Sequence, residues 1–213
     1  MPTAALTGED LDLEGVFEAH ITVDAAGSDL QKFRTACAGL GAKAVLIEAP
    51  GALVAVQPMT SSYHRGRARS VLAEVDALAG ALRGAGYPVR RVKLEAMVVS
   101  RGVPVTDAEG ERRPGYFEFH VKARLGPEVD ASALAGLCQQ HEARLSSNAF
   151  RQLAGGVVDR FVTMRVHRAG RATAERRFRE LLGALAGAHL TLAEPQREFA
   201  VFDSDQRLDL GWI

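Results

Sequence analysis

A seven-residue pattern occurs twice, 100 positions apart: Phe17-Glu18-Ala19-His20-Ile21-Thr22-Val23 and Phe117-Glu118-Phe119-His120-Val121-Lys122-Ala123. Side chains alternate between the two faces of a β-strand. The first copy therefore sets Phe17, Ala19, Ile21 and Val23 against Glu18, His20 and Thr22, and the second sets Phe117, Phe119, Val121 and Ala123 against Glu118, His120 and Lys122. A strand with one apolar and one polar face buries the first against helices and leaves the second open, and this restricts the chain to a layered α+β arrangement.

The similarity extends past the strands, as an internal repeat requires. Cys37 to Lys43 aligns with Cys138 to Arg144, Met59 to Arg65 with Val162 to Arg168, and Gly80-Ala81-Leu82 with Gly183-Ala184-Leu185, so the offset drifts from 100 to 101 to 103. Within the first copy, Ser28 is an N-cap for a helix over 29–40 carrying Leu30, Phe33, Cys37 and Leu40 on one side, and Gly41 stops it. Strands follow at 44–48 and 53–62, then a long helix with Val71, Val75, Leu78 and Leu82 on one stripe, then a strand over 89–98. That order is β-α-β-β-α-β, the ferredoxin-like unit. The second copy places its helices at about 130–141 and 171–187 and its last strand near Glu198 to Phe202.

The expected organisation is a flexible acidic lead (1–15), a ferredoxin-like repeat (16–98), a Gly/Pro-rich linker (99–115), and a second repeat with a C-terminal tail (116–213). The fold class is α+β, a tandem duplication with two antiparallel sheets and helices on the outer faces. Trp212, the sole tryptophan, is expected to dock as a plug.

With 26 acidic and 26 basic residues the chain lacks the basic excess that grips duplex DNA by counterion release. No stretch reaches the ~20 apolar residues needed to span a bilayer, and the first fifteen positions carry Glu9, Asp10, Asp12 and Glu14 in place of a signal sequence. A cytoplasmic protein is expected. Cys37 and Cys138 sit at matching helix positions and read as core.

The polar strand faces carry the expected site. Thr60, Ser62 and His64 are placed on the open face beside Glu18, His20 and Thr22. Thr163, Arg165 and His167 are placed beside Glu118, His120 and Lys122, and Arg91, Lys93 and Glu95 also point to the open face. Two duplicated sheets with facing open sides would enclose a cleft lined by paired His and Glu. His64-Arg65-Gly66-Arg67 and His167-Arg168-Ala169-Gly170-Arg171 each sit at a strand-to-helix junction, where free backbone N–H groups, the helix dipole and Arg favour phosphate or carboxylate.

His20-Ile21-Thr22 resembles the His-x-Thr motif of the 2H phosphoesterases, two-lobed proteins with one such motif in each lobe. The resemblance implies metal-independent processing of a phosphodiester in a nucleotide or RNA, with His20 and His120 as the acid/base pair flanked by Glu18 and Glu118, and with Thr22 donating to phosphate. His120-Val121-Lys122 departs from the motif, its lysine standing where the hydroxyl would be. Thr60, Ser62, His64, Arg65, Lys122, Thr163, Arg165, His167 and Arg168 complete the expected contacts to a small phosphorylated or other anionic ligand, with no cofactor. A second class is a divalent transition-metal centre made by Glu18, His20, Glu118 and His120, two nitrogens and two carboxylates. A third is a non-catalytic ligand-binding module. The segment from His20 to Gly41 is also similar to the opening of the vicinal-oxygen-chelate fold, but the long second helix does not suit that fold's β-α-β-β-β modules.

Overall fold

Both copies of the pattern lie on strands, and the strands do more than form two separate sheets. The computed structural model describes residues 11–27, 29–126, 129–150, 157–188, 190–193 and 195–211. Along them run β1 (Glu14–Val23), α1 (Asp29–Gly39), β2 (Lys43–Glu48), β3 (Val56–Arg67), α2 (Ala68–Gly84), β4 (Val89–Met97) and α3 (Asp107–Glu111). Then come β5 (Tyr116–Leu125), α4 (Ala131–Gln140), β6 (Ala143–Asn148), β7 (Val158–His167), α5 (Arg171–Gly187), β8 (Thr191–Leu192), β9 (Gln196–Asp203) and a 3-10 turn (Gln206–Asp209). Ser28, His189, Trp212 and residues 1–10 of the acidic lead lie outside the described residues, and the end of that lead already belongs to β1.

The protein is α+β with one large antiparallel sheet, in the order β7-β6-β2-β3-β1-β4-β9-β5-β8, and β7 also pairs with β5. That last pairing closes the order into a barrel, with β8 flanking β5. The set β2-β3-β1-β4 and the set β6-β7-β5-β9 follow the same internal order. The expectation of two sheets is thus corrected to a single sheet joined at two seams. At one seam Ile47 and Glu48 pair with Asn148 and Ser147, and at the other β4 pairs with β9 across a bulge at Leu94/Glu95. Edge strands left apart would expose unpaired backbone N–H and C=O groups, and joining edge to edge satisfies them.

The apolar strand faces look outward to the helices. Phe17, Ala19 and Ile21 pack with Phe33 and Cys37 of α1 and Val71, Val75 and Leu82 of α2. Phe117, Phe119 and Val121 pack with Leu134 and Cys138 of α4 and Phe178, Leu181 and Leu185 of α5. The Phe119 and Phe178 rings lie 4.9 Å apart. Full burial of each such side chain stabilises the fold by roughly 1.5–3 kcal/mol. Cys37 and Cys138 are free and buried, and burial pushes both thiols up to about 11. With apolar faces outward under helices, the polar faces line the barrel interior.

The connection over 99–115 is more ordered than a plain linker. Thr106 caps α3 in a capping box with Glu109. Gly110 lies so close to the second half that a Cβ there would sit 2.0 Å from the Ala169 carbonyl oxygen. Among the described residues no helix is long and apolar enough to cross a membrane.

Candidate functional site

The barrel encloses a cavity of about 830 Å³. Of the residues expected at the site, Glu18, His20, Thr22, Glu118, His120, Lys122, Thr163 and Arg165 line it. Strand pairing puts them there, because β1 lies between β3 and β4 while β5 lies between β7 and β9.

Each imidazole is fixed through Nδ1 and presents Nε2 to carboxylates. His20 Nδ1 donates to the Thr60 carbonyl at 3.1 Å, and its Nε2 stands 3.3 Å from Glu95 and 3.7 Å from Glu18. Burial works against a charge on His20, but Glu95 and Glu18 outweigh it and raise the ring above its usual range. His120 Nδ1 pairs with Thr163 Oγ1 at 2.9 Å, and its Nε2 lies 3.1 Å from Glu118. Glu18 is held from the other side by the Ser61 hydroxyl (2.6 Å) and the Tyr63 phenol (2.8 Å), both donating.

Lys93 Nζ sits between two carboxylates, 2.8 Å from Glu95 and 2.7 Å from Glu118. Arg165 Nε donates to the other Glu118 oxygen, and its Nη2 reaches Asp209 at 2.7 Å. Although burial penalises their charge, Arg165 and Lys93 hold Glu118 well below the usual carboxylate range. Glu95 is held by ion pairs alone, to Lys93 and His20, with neither oxygen in hydrogen-bonding geometry. Glu198 is 1% exposed, and its Oε1 has no hydrogen-bond partner. Burial, reinforced by Glu95 and Glu18, lifts its carboxyl well above the ordinary value. One ligand atom each from Glu95, His120 and Glu198 lie within 4.8 Å of one another.

A neutralised ion-pair layer continues from this cluster. Arg91 forks onto Asp203 (2.7 and 2.6 Å) and reaches Asp209 at 2.9 Å, and the Tyr116 phenol donates to Asp203 at 2.7 Å. The tail brings Asp209 in. Leu53 N and Val54 N, between β2 and β3, donate to the Leu210 and Leu208 carbonyls, and Gln57 donates to Asp209.

Six expected site residues fall elsewhere. On β3 the register opposes Ala19 with Ser62 and Phe17 with His64, so Ser62 and His64 share the helix-facing side of β1's apolar residues, and Thr60 lies in phase with them. Ser61 and Tyr63 take the inward places. A one-residue slip moves every side chain to the other face, and the slip lies in the repeat alignment: opposite Phe17 stands His64, whereas opposite Phe117 stands Val166, an offset of 102. His64 and His167 are therefore not equivalent. His64 instead meets Glu74 of α2 at 2.9 Å, and Thr60 Oγ1 accepts from Ile21 N at 3.1 Å.

His167 is exposed and packs its ring 4.9 Å from Tyr116. Burial and Arg165 lower it below its usual range. Arg65 and Arg168 are exposed and outside the cavity lining. At the two helix junctions expected to hold an anion, protein groups accept from some of the free donors. Asp107 accepts from Gly170 N (2.8 Å) and Thr173 Oγ1 (3.0 Å), and Ala68 N donates to the Leu13 carbonyl at 2.8 Å.

Sequence reasoning placed Arg91, Lys93 and Glu95 on the open face without assigning them to the site, and it missed Ser61, Tyr63, Glu198 and Asp209. For Glu198 the alternation of Gln196, Glu198 and Phe199 was available, but its strand pairs across the two halves, with Met97 of β4 and Glu118 of β5, a partnership that no local pattern gives.

No family model matches the chain, and no curated protein matches it. Among solved structures, chlorite dismutase from Candidatus Nitrospira defluvii in complex with imidazole is similar at 12% identity, covering 88% of this chain and 91% of that one, with a TM-score of 0.28. A point variant of the same enzyme is similar at 13% identity with the same coverage and a TM-score of 0.30. Likeness at this level assigns the chain neither a family nor a chemistry.

Proposed function

We propose that the barrel interior is a metal-dependent small-molecule site, with a divalent first-row transition ion held by Glu95, His120 and Glu198. The observation that carries this reading is Glu198, a buried carboxyl group whose Oε1 has no hydrogen-bond partner, in a cluster where one donor atom from each of three residues lie within 4.8 Å of one another. Metal–N and metal–O bonds of about 2.0–2.2 Å require donor separations of roughly 3.4 Å in a tetrahedral site. Contraction by up to about 1.4 Å lies within the reach of glutamate torsions. One nitrogen and two carboxylate oxygens suit Zn, Mn or Fe(II). The Nδ1 bond to Thr163 is the kind of contact that orients a ligating histidine.

A bound ion would polarise a substrate oxygen or lower the pKa of a bound water. His20, fixed by the Thr60 carbonyl and adjoining Glu95, is the group positioned to move a proton. The cavity falls within the ~300–1,000 Å³ range of small-molecule sites. The chain is also read here as a tandem ferredoxin-like duplication, which the shared strand order and the repeated Glu-x-His pattern support.

The phosphodiester reading loses support on charge. Arg91 and Arg165 are taken up by Asp203, Asp209 and Glu118, so a phosphate beside His20 and His120 would face Glu18, Glu95, Glu118 and Glu198 with Lys93 as the remaining buried cation. Titration of chelator-treated protein with Zn²⁺ or Mn²⁺ should give a saturable site weakened at least tenfold by His120→Ala. Absence of such a site, together with turnover of 2′,3′-cyclic nucleotides, would reinstate the phosphodiesterase reading.

A further inference from the structure

The register allows the two halves of the chamber to be compared position by position. Across β1 and β4, Glu18 opposes Glu95 and His20 opposes Lys93. Across β5 and β9, Glu118 opposes Glu198 and His120 opposes Gln196. Three of the four positions carry the same residue type in both halves. At the fourth, one half has an ammonium and the other a neutral amide.

The contacts follow that difference. Lys93 is buried and touches Glu95 and Glu118 at 2.8 and 2.7 Å. Gln196 is exposed and turns its amide to the Tyr63 phenol oxygen at 3.3 Å. In the half with the lysine, the Glu95 oxygens lack hydrogen bonds but meet Lys93 and His20 in ion pairs, whereas Glu198 Oε1, in the half without it, has no hydrogen-bond partner. The whole cluster offers four glutamates and two histidines, enough donors for two metal ions.

We propose that Lys93 is a built-in cation filling one of two quasi-equivalent cation positions, so that the native chamber takes a single metal ion in the Gln196 half. The inference rests on the metal-centre reading and adds the number of ions and the residue that sets it. Glu95, paired with Lys93 through Oε1, would then hold the metal ion as well. Lys93 is a positioning residue, and the chemistry available is that of one Lewis-acid centre rather than of a ligand shared between two metals.

The charge balance moves in the same direction. Among the described residues, and apart from Asp159, which pairs with Arg124, six carboxylates buried in the interior (Glu18, Glu95, Glu118, Glu198, Asp203 and Asp209) face three buried cations, Arg91, Lys93 and Arg165, a deficit of three charges. Lys93→Gln would raise the deficit to the charge of two divalent ions.

The test uses the full chain as wild type, Lys93→Gln and Gln196→Lys, each stripped with chelator and equilibrated with Zn²⁺ or Mn²⁺. Bound metal is counted by elemental analysis and affinity is measured by calorimetry. Wild type should bind one ion and Lys93→Gln two. Gln196→Lys, which supplies the missing ammonium and removes no ligand, should bind at least tenfold more weakly than wild type. One ion of unchanged affinity in all three proteins would overturn the role of Lys93 and leave the metal centre standing, whereas no ion in wild type would overturn the metal centre itself. Should Lys93→Gln fail to fold, Gln196→Lys decides alone, and wild-type affinity in that variant would refute the proposal.

Discussion

Replacing Glu198 by Gln should stabilise the metal-free protein at neutral pH and abolish its stabilisation by metal. In the metal-free chamber Glu198 is 1% exposed and its Oε1 is without a partner. An unsatisfied buried polar group costs about 1–3 kcal/mol, more if charged, and Gln removes the charge while keeping the shape. For a chain of 213 residues, each kcal/mol moves Tm by about 2–4 °C, so the metal-free variant should melt about 2–12 °C higher.

The sign with pH follows from a carboxyl raised in the folded state. Its contribution is fully present below the unfolded carboxyl value of about 4.3 and is lost as pH rises through the folded value. Between those two values wild type should lose about 1.4 kcal/mol per pH unit relative to the variant. Adding metal should reverse the order, because only wild type gains binding energy in the native state. Thermal melts and urea titrations from pH 5 to 8, with chelator and then with excess Zn²⁺, read all of this. A variant less stable than wild type in chelator at pH 7.5, or equally stabilised by metal, would refute the reasoning.

Asp209→Asn removes a carboxylate shared by Arg91 and Arg165 and should cost about 3–5 kcal/mol, the usual penalty for breaking a buried pair, measurable by urea unfolding. His64→Ala should leave metal affinity within twofold of wild type, whereas Tyr63→Phe, which removes one of the two hydroxyl donors to Glu18, should shift the His20 ring resonances. The reverse pattern would restore the discarded β3 register. In histidine NMR titrations of metal-free protein, His20 should titrate above 6.5 and His167 below it. The stabilising ion pairs of His20 are then complete below its unfolded value and lost as pH rises through its folded one, and Glu95→Gln should lower the His20 midpoint.

Where sequence could be read and where it could not follows from hydrophobic patterning. On β5 and β7 the sets Phe117, Phe119, Val121 and Val162, Met164, Val166 mark the helix-facing side without ambiguity, and Glu118, His120, Thr163 and Arg165 fall inward as expected. On β3 the pattern misleads, because Met59 and Tyr63 face the chamber while the small polar Thr60 and Ser62 face the helices. The barrel closure rests partly on two residue pairs, Ile47 with Asn148 and Glu48 with Ser147, about a hundred positions apart. No local periodicity encodes them. Glu198 and Asp209 matter through what surrounds them, a property of tertiary packing that strand alternation does not carry.

Anomalous diffraction from crystals of the full chain soaked in Zn²⁺ or Mn²⁺ tests the central claim most directly. The account predicts one peak inside the barrel, within about 2.3 Å of donor atoms from Glu95, His120 and Glu198, and none in crystals of Glu198→Gln. A peak coordinated by other residues, or an empty interior in fully soaked wild-type crystals, would contradict it.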